Sequence, residues 1–307
     1  MTRAVFAAIE TGGTKTLCRL VDSDGAELAM RRWPTDDPET MVDLLAGFIV
    51  QATPADAQLA ALGIAAFGPL VLDPAAAEFG RMLNTTKPGW TGSNLAAALT
   101  ERLGSPVAID ADVNAAAIAE QRLGAGRGCS SIAYVTAGTG VGGGLATDGK
   151  PLKGALHPEI GHIRLIRRPD DTMPSGCPFH GDCAGGLTAG PAIARRLAPD
   201  IQLADDPQVS ALVADYLGQL LATLVLAWSP QRIVLGGGVM KTAGLIDRVS
   251  VNVREALGDY GAGRQAGGDL LAPAMLEHAG LDGALLMARD LTSRSRPQPV
   301  PSSDVTS

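Results

Sequence analysis

Aromatic side chains are scarce in this chain, with three Trp, three Tyr and five Phe among 307 residues. Beside 38 glycines, that scarcity points to close backbone approaches and to loops shaped for ligands. No block of Lys and Arg occurs, and the net charge is -7 with a pI near 5.1. Nucleic acid is therefore not an expected partner. Long hydrophobic runs are missing as well. The longest apolar stretches, such as 220–228, fall far short of the ~20 residues that span a bilayer, so no membrane association is expected. The N-terminus, MTRAVFAAIETGG, has one Arg and a short apolar run that stops at Glu10, too little for a secretory signal. The expected compartment is the cytoplasm, where the four cysteines stay reduced. The remainder is globular, at 46% hydrophobic and 19% charged residues. A chain of this length predicts one large domain or two moderate ones with ample core.

Two of the four cysteines and three of the four histidines crowd into residues 154–191. Cys177, His180 and Cys183 are spaced C-x2-H-x2-C among Gly176, Pro178 and Gly181, which is loop composition. Such a loop has no apolar periodicity with which to order itself, but metal binding to thiolate and imidazole supplies folding free energy directly. Structural Zn2+ takes four N/S ligands. Three are present, and the fourth is expected at His162, with His157 as competitor. The alternatives are a disulfide between Cys177 and Cys183, or free thiols whose spacing is chance.

Along the chain, 4–10 (AVFAAIE) reads as a strand, Thr11-Gly12-Gly13-Thr14 as a turn and 15–21 (KTLCRLV) as the returning strand. Cys18 within it reads as core. No Walker A pattern occurs. Gly12 and Gly13 would let backbone N–H groups converge on an anion, with Thr14 and Lys15 adding a hydroxyl and a charge. An ordinary hairpin turn explains the same residues. Residues 22–25 turn, 38–50 have helical spacing, and 59–72 is a buried strand broken at Gly68-Pro69. Residues 84–90 (NTTKPGW) form a polar loop, 94–103 a helix with Ser93 as N-cap, 106–110 a strand and 115–122 a helix. Asp110 and Asp112 lie where strand passes into helix, a place suited to chemistry. Helix capping is an equal alternative for Asp112.

Residues 131–136 form a strand that runs into five glycines within 138–144. This resembles a second phosphate cradle, with a hairpin turn as the alternative. Cys129, just before it, reads as a core or surface thiol. Gly190-Pro191 opens a helix, 209–228 is a long apolar helix, and 232–235 is a strand. Gly236, Gly237 and Gly238 follow, then a helix from Val239, giving a third candidate nucleotide contact. A last helix covers 281–291, and the Pro/Ser-rich tail 292–307 is expected to be disordered. His278 reads as a packed or exposed histidine.

In matching order from Ile9 to about Met240, these pieces resemble the ROK sugar kinases, most closely their fructokinase branch. The first phosphate motif is similar at Glu10–Lys15 (ETGGTK), as are 63–69 (GIAAFGP), 87–90 (KPGW), 110–114 (DADVN), Gly138-Thr139-Gly140, 159–162 (EIGH) and C-P-x-H-x2-C. The resemblance implies an α/β actin-like ATPase (ribonuclease H-like) fold with two lobes around a cleft. The lobes would be 1–112, with helix 281–291 packing back on it, and 113–280, carrying the zinc loop 154–191. It implies ATP-dependent phosphorylation of D-fructose to D-fructose 6-phosphate, with Mg2+ bridging the phosphates and structural Zn2+ on His162, Cys177, His180 and Cys183. Asp112 becomes the catalytic base. Gly68, Asn84, Asn114, Glu159 and His162 become sugar contacts. Gly12, Gly13, Thr14, Lys15, Gly138, Thr139, Gly140, Pro191, Gly236, Gly237, Gly238, Val239 and Met240 become ATP contacts. A homodimer is implied by the resemblance alone.

Two positions depart from the pattern. Gly185 stands where relatives often carry a sugar-contacting Glu, which bears on hexose specificity. Ala111 stands where glucokinases carry Asn, which argues against glucose. Mannose, glucose and N-acetylhexosamines are the alternative acceptors, and a non-catalytic sugar sensor is the alternative role. ROK relatives also include repressors with an N-terminal helix-turn-helix. With the phosphate hairpin inside the first dozen residues, no such element is expected here.

Overall fold

The computed structural model describes residues 3–258, 260–261 and 269–294. Two five-stranded sheets organise it. In the first, β1 (Arg3–Thr11), β2 (Lys15–Asp22) and β3 (Glu27–Pro34) form an antiparallel meander, while β4 (Ala57–Ala66) and β5 (Val107–Ala111) run parallel to β1. The order is β3-β2-β1-β4-β5. Thr11 pairs with Ala66, and Ala66 with Ala111. The residues after these three strands therefore leave one sheet edge together, where α/β folds place ligands.

The second sheet comprises β6 (Ser131–Ala137), β7 (Val141–Thr147), β8 (Lys150–Pro151), β9 (Arg232–Gly236) and β10 (Leu271–Pro273), ordered β10-β9-β6-β7-β8. Its parallel strands are also in step at their C-terminal ends, with Thr136 opposite Gly236 and Leu235 opposite Pro273.

Among the described residues the helices are α1 (Pro38–Ala52), α2 (Leu95–Leu103), α3 (Asp112–Arg122), the short α4 (Ala184–Thr188) and α5 (Gly190–Ala194), α6 (Pro207–Trp228), α7 (Leu245–Leu257) and α8 (Ala279–Arg294). Asp37 and Asp206 cap α1 and α6 by accepting two backbone N–H groups each. One core lies beneath the first sheet around Ile9, Leu45 and Leu62, and another beneath the second around Leu217, Leu220 and Ile233. Helices α3 and α8 pack together, and α8 also lies against β1 and β4.

Several local expectations change. Strand β3, for which the sequence reading held no expectation, is a half-exposed edge strand held by pairing to β2. The cap of α2 is Asn94, whose Oδ1 accepts from Ala97; the Ser93 hydroxyl instead donates to the Trp90 carbonyl. Helix α3 starts at Asp112, three residues earlier than its apolar pattern indicated. Gly142, Gly143 and Gly144 belong to β7 rather than to a phosphate loop. A Cβ on Gly144 would collide with Asn114 Oδ1 and the Val113 carbonyl, so glycine there lets α3 approach the sheet. After Gly238 comes a 3-10 turn (Val239–Lys241), and the helix begins only at Leu245. Residues 292–294 extend α8, and the rest of the expected tail lies outside the described residues. At 22 residues, α6 is long and apolar enough to cross a membrane, but 67% of its most apolar window is buried in the protein.

Candidate active site

The sheet edges bring two glycine turns together around a cavity of about 1000 Å³. Gly138, Thr139, Pro191, Gly236, Gly237, Gly238, Val239 and Met240 all line it, as does Lys15. The Gly190 N–H donates to the Gly138 carbonyl at 2.7 Å, which locks α5 against the β6–β7 turn. Gly237 has φ +88, and a Cβ there would overlap the Ala137 carbonyl. Only glycine lets β9 turn so close to β6.

The first hairpin contributes less than its sequence indicates. The Gly12 N–H donates to the Lys15 carbonyl at 2.8 Å, so it is spent within the turn. Neither Gly12 nor Gly13 has a positive φ, and no anion nest forms there. Of this hairpin, Glu10 and Lys15 are among the residues that line the cavity.

The sequence reading missed a further wall, 273–280, together with Tyr134 and Lys241. That wall follows a three-residue strand and has no helical period to mark it. His278, read as merely packed or exposed, is part of it.

Asp110 and Asp112 are now distinguishable. Asp110 is 2% exposed and accepts from the Ala111 N–H and Asn114 Nδ2 (both 2.8 Å) and from Lys153 Nζ at 3.2 Å. Its charge is neutralised and its geometry fixed. Asn114 is fully buried in holding it. Asp112 is half-buried at the start of α3, and the contact it receives from the protein is the Val113 N–H at 2.8 Å. Its carboxyl is pushed up to about 7, first by desolvation and then by the negative charges of Glu10 and Glu159. Glu10 lines the larger cavity, and its Oε2 accepts the Leu281 N–H at the start of α8, at 3.0 Å. Glu159 lines a second cavity. Asp112 thus lies in the field of both, with a pKa near neutrality, as a general base needs.

The second cavity, of about 610 Å³, contains Gly68, Asn84, Thr139, Gly140, Glu159, His162, Gly185 and Pro191. Thr139 and Pro191 line both cavities, so the two spaces meet there. Glu159 and His162 share one 3-10 turn (Ile160–His162), in which the His162 N–H donates to the Glu159 carbonyl at 3.0 Å.

His162, Cys177, His180 and Cys183 gather their donor atoms within 4.8 Å of one another. Individual separations are 3.0 Å between the two Nδ1 atoms, 3.6 and 3.7 Å from Cys177 Sγ to those of His180 and His162, and 3.8 Å from Cys183 Sγ to His162. Tetrahedral Zn2+ with bonds of ~2.0–2.3 Å would place its donors ~3.3–3.8 Å apart; the three sulfur–nitrogen separations lie in that range, and the two Nδ1 atoms stand closer than it. His157 is excluded from the set. It is buried, and its Nε2 accepts the Leu70 N–H at 3.2 Å. The four cysteines are all unpaired, so Cys177 and Cys183 form no disulfide.

The sequence profile of the ROK family matches residues 6–291. A fructokinase of Zymomonas mobilis is 40% identical over 291 residues, covering 93% of this chain and 97% of that protein. Among solved structures, the ROK hexokinase of Thermus thermophilus superposes with a TM-score of 0.76 at 29% identity, covering 94% of this chain and 99% of that one. A ROK glucokinase of Streptomyces griseus, solved with glucose and AMPPNP, gives 0.72 at 27% identity, covering 93% and 99%. These superpositions assign the two sheets and their cleft to the α/β actin-like ATPase fold. With the profile spanning nearly the whole chain and a 40% identical relative matched almost end to end, the chain belongs to the ROK family.

Proposed function

We propose that this protein transfers the γ-phosphoryl group of ATP to the 6-hydroxyl of a hexose, with D-fructose as the preferred acceptor. The observation that carries this reading is the position of Asp112. A carboxylate with a pKa near 7 stands in the field of acids from two cavities that meet at Thr139 and Pro191. The larger cavity suits a nucleotide and the smaller a sugar. The choice of fructose rests on the likeness to the Zymomonas fructokinase.

A primary hydroxyl is a poor nucleophile at neutral pH. Asp112 accepts its proton as the oxygen attacks the γ-phosphorus, and the bond to the β-phosphate oxygen breaks to release ADP. This general-base step is worth ~10^2–10^4-fold. Alignment and charge neutralisation supply most of the rest. Gly138, Thr139 and Lys15 face the phosphates, and Gly236–Gly238 with Val239 and Met240 face the nucleoside. Mg2+, when bound, would neutralise phosphate charge, held through water by Glu10 and Asp112.

Glu159 and Asn84 bind sugar hydroxyls beside Gly68. Structural Zn2+ would be held by His162 Nδ1, Cys177, His180 and Cys183. These protein donors complete the tetrahedron, so the ion's role is to fix the turn that aims Glu159. The two halves, 1–112 with α8 and 113–280, close over the substrates and exclude water. The chain is a homodimer, which sedimentation at micromolar concentration checks. Phosphorus NMR of the product of fructose and ATP tests the reaction: a phosphoryl group on O6 supports it, and one on O1 or no product contradicts it.

A further inference from the structure

One buried acid has no part in the chemistry above. Glu120 lies on α3, eight residues after Asp112, and is 0% exposed. Burying a carboxylate is costly unless donors surround it. Glu120 has three, all backbone. Its Oε1 accepts the Met275 and Leu276 N–H groups, each at 2.9 Å, and its Oε2 accepts the Ala125 N–H at 2.7 Å. The fit is close enough that a Cβ on Gly124 would collide with Oε2.

Met275 and Leu276 line the same cavity as the glycine turns. They lie between β10 and α8, outside any helix or strand. The preceding residue is tied to the sheet by its own N–H, from Ala274 to the Leu235 carbonyl at 2.9 Å. The next two amides are satisfied by Glu120. The side chain of Met275 is 72% exposed, so apolar burial does not hold it in place.

Which end of a nucleotide this wall meets follows from the cavities. The γ-phosphate has to reach Thr139 and Pro191, where the two spaces join, and neither Met275 nor Leu276 lines the sugar cavity. The wall therefore faces the nucleoside. Resting on the kinase reading, we infer that Glu120 is a positioning residue for the nucleoside: it pins residues 275–276 to the helix that begins at Asp112. One rigid helix then fixes both the base that takes the sugar proton and the wall that sets where ATP lies.

The test compares Glu120→Ala, Glu120→Gln and Gly124→Ala with wild type. KM for ATP and for fructose come from steady-state assays. Dissociation constants for ATP and for inorganic tripolyphosphate come from calorimetry. Removing a charged acceptor of three hydrogen bonds should raise the ATP KM and dissociation constant on the order of tenfold. The fructose KM and tripolyphosphate affinity should stay within about twofold, because neither ligand touches the wall. Glu120→Gln keeps one acceptor oxygen and should fall between Glu120→Ala and wild type. Gly124→Ala displaces the carboxylate without removing it, and should weaken ATP in the same selective way. Should Glu120→Ala fail to fold, the other two variants decide. Unchanged ATP affinity in them, or equal loss of ATP and tripolyphosphate, overturns the inference while leaving the kinase intact. A wild type that binds tripolyphosphate no more weakly than ATP also overturns it. A wild type that binds no ATP overturns the kinase reading and this inference with it.

Discussion

Asp112→Asn should inactivate the protein and make it more stable, and the gain in stability should depend on pH. The side chain keeps its shape, and Asn Oδ1 still accepts the Val113 N–H. Only the charge is lost. In the folded protein the Asp112 carboxyl is raised from 3.8 to about 7. The protonated form is thus favoured by folding, and its stabilising effect is full below 3.8 and lost as pH rises through 7. At pH 8 the carboxylate is charged in both states, and the folded state bears the whole cost of desolvation and of the acids Glu10 and Glu159.

A shift of about three units corresponds to ~4 kcal/mol at 1.36 kcal/mol per unit. Asp112 is only half-buried, and solvent screening reduces this to roughly 2–4 kcal/mol. For a chain of this size that is a Tm rise on the order of 5 °C at pH 8. At pH 5 linkage leaves less than about half of it. Differential scanning calorimetry at the two pH values measures the effect directly. Turnover should fall by ~10^2–10^4-fold. A variant no more stable than wild type at pH 8 refutes the buried-charge argument, and one that keeps a tenth of the activity refutes the assignment of the base.

Three further outcomes follow from the same geometry. In wild type the acid limb of kcat/KM should centre near pH 7; Glu10→Gln keeps the acceptor for the Leu281 N–H but removes a charge. Its limb should move down yet stay above the ordinary 3.8, because desolvation is the larger cause; a limb that does not move contradicts Glu10 as an electrostatic neighbour. Cys177→Ser, or chelation of the native protein, should raise the sugar KM and open residues 154–191 to protease while leaving the ATP KM near wild type. Equal protease resistance with and without chelator would count against a metal in the cluster. Gly237→Ala forces a Cβ into the Ala137 carbonyl at φ +88. It should cost ~1–3 kcal/mol of stability and raise the ATP KM, read by thermal melts and steady-state kinetics.

Much of the site was legible because its motifs are local. C-x2-H-x2-C lies within one turn of loop, and glycines directly after β6 and β9 mark places where backbone must approach a ligand. What stayed hidden depends on partners far along the chain. Asp110 and Asp112 look equivalent in sequence, and they separate only when Lys153 reaches back to Asp110. His157 and His162 were both in range of the cluster until Leu70, from the other sheet's loop, claimed His157. Asn114 follows the base, and the sequence does not show that its Nδ2 donates to Asp110. Glu120 carries no mark in the sequence, and its partner Met275 lies 155 residues away. The first hairpin shows the converse, since the Gly12 N–H is used to close its own turn onto the Lys15 carbonyl.

The most direct measurement is a coupled ADP-release assay with ATP and Mg2+ on zinc-loaded, folded protein against fructose, mannose, glucose and N-acetylmannosamine. Turnover with a clear preference for fructose is the predicted result, with Gly185 a tolerated feature of the sugar wall. Turnover with another hexose would keep the phosphotransfer and contradict the acceptor. No ADP release with any of the four would contradict the kinase itself.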